Sequence, residues 1–159
     1  MLGGPVCCGA LGIAAAIVLS LLGASLGISS SSPSIGGAMT ERKSEAPKMV
    51  ISTVLAEALG IYGLIIAFLG LSWYTGFFPS DTNNPAFEDG ATTLLVAGLI
   101  MGFAALFAGL AIGYAGASNA KTTAEDPDLF VMSLIPVVLG EALAIYGLII
   151  SFLMVSSLP

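Results

Sequence analysis

Two glutamates stand inside runs that are otherwise apolar. Glu57 opens the stretch EALGIYGLIIAFL over residues 57–69, and Glu141 opens EALAIYGLIISFL over residues 141–153. Eleven of the thirteen positions agree, the exceptions being Gly60 against Ala144 and Ala67 against Ser151. A carboxylate at the centre of a bilayer costs roughly 2.5–3.5 kcal/mol on insertion scales. Making that placement twice, in the same local sequence, points to reversible binding and release of an ion. Tyr62 and Tyr146 follow five residues after each glutamate, a rotation of about 140° on a helix of 3.6 residues per turn. Each tyrosine therefore points away from its own glutamate.

The setting is hydrocarbon. Of the 159 residues 57% are hydrophobic and 9% charged, with a mean hydropathy of +1.02. Soluble domains carry about 25% charged residues, so the composition reads as an all-α integral membrane protein. The chain is too short and too apolar for a separate soluble domain. A net charge of −6 with only four bases argues against nucleic acid as a partner. Histidine is absent and the two cysteines, Cys7 and Cys8, are adjacent, which excludes a conventional zinc or disulfide framework. They read as small apolar helix residues, with lipidation or redox chemistry as the alternative. No metal and no cofactor is expected. The chain has no nucleotide loop and no nucleophile constellation, so it is not an enzyme by itself.

Four apolar segments are long enough to cross a core that needs about 20 helical residues. They cover approximately residues 6–28, 49–71, 91–117 and 129–153. Runs this long, without alternation, exclude strands. Arg42, Lys43 and Lys48 lie between the first two segments and Lys121 between the last two. By the positive-inside rule, connections 29–48 and 118–128 face the cytoplasm and both termini lie outside or in a lumen. No base precedes the first segment, so it is expected to be retained rather than cleaved as a signal peptide. The middle connection opens with Trp73, Tyr74, Phe77 and Phe78, an interfacial aromatic belt. Pro79, Asn83, Asn84 and Pro85 then mark a loop. The organisation is a first hairpin over residues 1–73, an extracytoplasmic linker over 74–90 and a second hairpin over 91–159.

The hairpins are parallel repeats of one another. Residues 21–28 (LLGASLGI) match 107–114 (FAGLAIGY), setting Gly23 opposite Gly109 and Gly27 opposite Gly113. That match has an offset of 86, whereas the two glutamates have an offset of 84, so the first cytoplasmic connection is expected to be two residues longer than the second. Gly23 with Gly27, Gly98 with Gly102, and Gly109 with Gly113 each form a Gly-x-x-x-Gly spacing, which allows close helix approach in lipid. The spacing alone fits either ordinary packing within four helices or a tight inner circle of helices from many copies.

The duplicated hairpin, the glutamate in each second helix, the E-A-L-[GA]-I-Y-G-L-I-I-[AS]-F-L run and the glycine-rich partner helices closely resemble the proteolipid of V-type and A-type rotary ATPases, their c or K component. The resemblance covers all four helices and is most specific at the glutamate runs. It implies a homo-oligomeric rotor ring with the first and third helices lining it and the second and fourth facing out. It also implies a stator a/I component forming half-channels with an arginine that passes the glutamates, and central-stalk subunits docking on the cytoplasmic connections. Many double-hairpin members keep one carboxylate; here Glu57 and Glu141 are both present. Sodium-carrying members supply a glutamine from the third helix and a Thr-Gln pair after the glutamate, where this chain has Ile112, Ala58 and Leu59.

Sodium, as a hard cation, wants several oxygen ligands, and an apolar setting favours the neutral acid over the carboxylate. The expected cargo is therefore the proton, with a sodium-carrying ring as the alternative and a small four-helix secondary transporter or a purely structural tetraspan as remoter ones. Ser25 is a candidate to place an oxygen near a glutamate, with helix packing as its other reading. The resemblance implies that Tyr62 supports Glu141 and, by the repeat, that Tyr146 supports Glu57 across a boundary between copies. The competing reading is an aromatic filling a helix interface. Two carboxylates per chain raise the ions carried per turn, which suggests an archaeal-type synthase in a prokaryotic plasma membrane, with a vacuolar-type endomembrane as the other setting.

Overall fold

The computed structural model describes residues 4–77 and 85–158. Among those residues four helices are long and apolar enough to cross a membrane. Helix α1 spans Gly4–Glu41, α3 spans Ile51–Phe77, α4 spans Pro85–Glu125 and α5 spans Phe130–Ser156. Between α1 and α3 lie a 3₁₀ turn at Lys43–Glu45 and the single-turn helix α2 at Ala46–Met49; a 3₁₀ turn at Pro127–Leu129 joins α4 to α5. Of the expected belt and loop, Phe78, Pro79, Asn83 and Asn84 lie outside the described residues.

The helices are longer than the apolar runs. At 1.5 Å per residue the 38 residues of α1 and the 41 of α4 extend about 57 and 61 Å, roughly twice a 30 Å hydrocarbon core. Most of the connection expected at 29–48, and of that at 118–128, is therefore helix. The polar residues of these segments are accommodated on the helix. Ser30, Ser31 and Ser32 donate to the carbonyls of Leu26, Gly27 and Ile28 at 2.6–2.9 Å, holding polar side chains against the helix backbone. Beyond them Ile35 and Ala38 pack against Ala120, Ala124 and Met49 in a second small core. All four bases lie at this one end, where the Arg42 guanidinium donates to the Glu125 carbonyl at 3.2 Å.

Helices α1 and α4 run side by side, α3 packs against both, and α5 packs on α4 with a smaller contact to α3. The two hairpins repeat with one offset, the 84 that separates the glutamates. Glu41 and Glu125 end α1 and α4, and the turns Lys43–Glu45 and Pro127–Leu129 follow them, both pairs at that offset. Gly63 lies against Ser20 and the Ala16 carbonyl; its counterpart Gly147 lies against Ala104 and the Ile100 carbonyl, which are the counterparts of those partners. This corrects the two-residue difference expected between the connections. The glycines matched at an offset of 86 are not repeat equivalents. They are partners across the α1–α4 seam: a Cβ on Gly109 would strike the backbone of Gly23, one on Gly98 that of Gly12, and one on Gly113 would come within 2.9 Å of the Gly27 carbonyl oxygen. Backbones this close leave room only for hydrogen.

At the opposite end Trp73 stacks on Phe87 at 5.9 Å with 8° between the rings, and Gly90 makes room for the indole. Tyr74 lies 5.9 Å from the same ring and donates to the Val6 carbonyl at 3.2 Å. Of the aromatics expected as a belt, Trp73 and Tyr74 are thus half-buried and tie α3 to the starts of α1 and α4.

Candidate ion-binding site

The site is built where the two outward helices meet. On α5 the buried Gly140 packs against Ile112 of α4, which brings Glu141 down beside the seam. On α3 the five-residue step from Glu57 to Tyr62 turns the phenol toward the other hairpin. There Tyr62 Oη donates to Glu141 Oε1 at 2.9 Å, joining the two hairpins directly. Interhelical hydrogen bonds of this kind average about 0.6 kcal/mol in membrane proteins, so its value is positional as much as energetic.

The repeat-related pair is split. Glu57 lies on the free side of α3, in a shallow apolar hollow with Ile17, Leu21, Gly60, Ile61 and Leu64. Tyr146 lies on the free side of α5, 62% exposed, in a hollow with Ala111, Leu139, Gly140 and Leu143. The two halves occupy opposite faces of the chain. Two exposed leucines of these hollows have buried repeat counterparts. Leu143 is 57% exposed and its counterpart Leu59 is fully buried; Leu21 is 52% exposed and its counterpart Ala105 is fully buried.

Ser25 is exposed on α1 and its hydroxyl donates to the Leu22 carbonyl at 2.9 Å. Its height is that of Glu57, because Gly27 abuts Ala56 and Gly60 abuts Leu21. Under the offset of 84 its counterpart is Gly109, in place of Ala111, so an extra hydroxyl is available at one glutamate and not at the other. Ile112 and Leu59 are fully buried apolar side chains, which leaves those two positions without oxygen ligands.

Polar features missed by sequence reading lie nearer the basic end. The buried Asn119 donates to the Phe130 carbonyl at 3.2 Å and to Ser133 Oγ at 2.8 Å, and Thr123 donates to the Asn119 carbonyl at 2.7 Å. The two bonds from Asn119 fix the start of α5 on α4, and hence the height of Glu141; the Thr123 bond lies within α4. Ser151 makes a second such tie, donating to the Ala97 carbonyl at 2.8 Å. The only sequence signal for Asn119 was a polar residue in a segment read as a loop.

Comparison with known proteins identifies the family. The family model described as the ATP synthase C subunit matches twice, over residues 11–70 and 95–154, the same offset once more. The c subunit of a V-type proton ATPase from Candida tropicalis is 36% identical over 153 residues, covering 92% of this chain and 86% of that protein. The 16 kDa proteolipid c subunits of the V-type proton ATPases of sheep and human are each 33% identical, covering 91% of this chain and 88% of theirs. These relatives are eukaryotic and give no support to the prokaryotic setting expected above. A duplicated helical hairpin, matched twice by one family model and over most of its length by V-type proteolipids, places this chain in the ATP synthase C-subunit family as a double-hairpin member.

Proposed function

We propose that this chain is the proton-carrying proteolipid of a V/A-type rotor ring and that Glu57 and Glu141 each carry one proton. The observation that carries the reading is the Tyr62–Glu141 bond inside the chain, set beside its repeat copies on opposite outer faces. Copies stacked head to tail would bring Tyr146 of one toward Glu57 of the next, pairing the same residue types at a second site. The relatives are named as subunits of proton ATPases. The buried Ile112 and Leu59 favour the proton over sodium, since a bare cation would lack oxygen ligands there. Ser25 would serve the Glu57 site alone, its free lone pair accepting a hydrogen bond while its O–H keeps donating to the Leu22 carbonyl.

The mechanism follows from charge. A protonated glutamate crosses the lipid-facing part of a rotation at little cost, whereas an ionised one does not. Ionisation is then confined to a polar stator, which loads and unloads each carboxyl through two half-channels. Rotation couples to a central stalk docked at the basic end. Each charge moved across 100 mV is worth about 2.3 kcal/mol, so two working carboxyls per chain double the work exchanged as each copy passes. The test is ATP-driven proton uptake into sealed vesicles carrying the whole complex. Glu57→Gln and Glu141→Gln are each expected to abolish uptake, because a neutral amide cannot release a proton to the stator. Normal uptake with either substitution would remove that residue from the cycle.

A further inference from the structure

The two seams of such a ring cannot be alike. Inside the chain Gly23 of α1 faces the Ala105 carbonyl and Leu106 Cα so closely that a methyl group does not fit. Its repeat counterpart is Phe107, which is 65% exposed on the free face of α4 and stacks on Phe103 with 6.2 Å between ring centroids. Carrying the internal contact forward by the same offset points Phe107 at Leu21 and Leu22 of the next copy, both about half exposed. A phenyl ring therefore stands where the internal seam excludes even a Cβ. The neighbouring positions vary in the same sense: Ala111 replaces Gly27, and Ser25 replaces Gly109.

We infer that Phe107 seats on α1 of a second copy and holds it farther away than α1 and α4 approach within a chain, so that the ring alternates narrow seams with wide ones. Glu141 lies on the narrow seam and Glu57 on the wide one. This rests on the ring reading and adds to it that the two carboxyl sites are structurally unequal. Interaxial distance follows the side chains at the contact, and small residues are what allow backbones to touch in lipid. The free face of α4 continues an interface the chain already makes, which is why a second copy is its occupant.

The test uses the full chain in native-like membranes, with Cys7 and Cys8 replaced by alanine and the pair Ala111→Cys and Ser25→Cys introduced. These positions are the counterparts of Gly27 and Gly109, which lie backbone to backbone, a Cβ on Gly27 being 2.8 Å from the Gly109 carbonyl oxygen. A disulfide needs Cα atoms within about 4.4–6.8 Å. The expected result is no oxidative cross-link between copies while Phe107 is present, and a ladder of linked copies once Phe107→Gly is added. Phe107→Ala should give a lower yield. Because Phe107 is exposed in the single chain, its loss should leave the fold of the chain intact. A ladder with Phe107 in place would overturn the wide seam. Absence of a ladder in every variant, with the oligomer intact by mass, would overturn the proposed register. Chains that migrate singly in mild detergent and in membranes would instead overturn the ring reading itself.

Discussion

Gly109→Ala tests whether the α1–α4 seam is as tight as described. The added methyl would lie 2.8 Å from Gly23 Cα and closer still to the Gly23 carbonyl, against a comfortable separation of about 3.5–4.0 Å between carbon atoms. The obstacle is backbone, which cannot rotate aside, so α1 and α4 must separate. Overpacking of this kind costs about 1–3 kcal/mol, offset by the roughly 0.5–1 kcal/mol that alanine gains over glycine within a helix. The net expectation is a loss of up to about 2.5 kcal/mol, a factor of up to roughly 70 in the unfolding equilibrium at about 1.36 kcal/mol per tenfold. Gly36→Ala is the control. Gly36 is helical and exposed with nothing within 4 Å of an added Cβ, so only the gain of about 0.5–1 kcal/mol remains. The assay is unfolding by SDS from mild detergent, followed by the fluorescence of Trp73, the one tryptophan, which stacks on Phe87. Opposite shifts of the two variants are expected. A Gly109→Ala protein stabilised as much as the Gly36→Ala control would refute backbone contact at the seam.

Tyr62→Phe removes the hydrogen bond to Glu141 and is expected to cost about 0.5–1.5 kcal/mol in the same unfolding assay, whereas Tyr146→Phe should leave the single chain unchanged because its hydroxyl lies on a free face. Equal losses would mean that the two tyrosines are equivalent within one chain. Asn119→Ala abandons the Phe130 carbonyl and Ser133 hydroxyl and is expected to cost about 1–3 kcal/mol, with faster amide exchange at the start of α5 as the local readout. Asp126→Ala removes the side chain that accepts from the Asp128 amide at 3.0 Å; at this exposed turn the expected loss is about 0.5–1 kcal/mol, measured by the same titration.

The membrane helices were legible because apolar runs of twenty or more residues have few other fates in water. The ends of α1 and α4 were not. A segment rich in serine with Pro33 reads as a loop; packing of Ile35 and Ala38 on the neighbouring helix supports it as helix, while the serine hydroxyls are satisfied on the helix backbone. Glycine spacing carried information and was misassigned: Gly23 and Gly109 face each other across a seam, a relation that sequence similarity imitates as repetition. The meeting of Tyr62 with Glu141 was legible through family resemblance, since spacing alone could say only that each tyrosine leaves its own glutamate. Asn119 and Phe87 acquire their roles from partners on other helices, and no local pattern marks them. The contrast between one covered site and its two exposed halves belongs to tertiary structure alone.

The most direct measurement is carbodiimide labelling of the purified oligomer, read by intact mass at fixed pH with and without sodium. The reagent modifies protonated carboxyls in the membrane. Two adducts per chain, mapped to Glu57 and Glu141 and unchanged by sodium, are expected if both carry protons. A single adduct, or protection by sodium, would contradict the central claim.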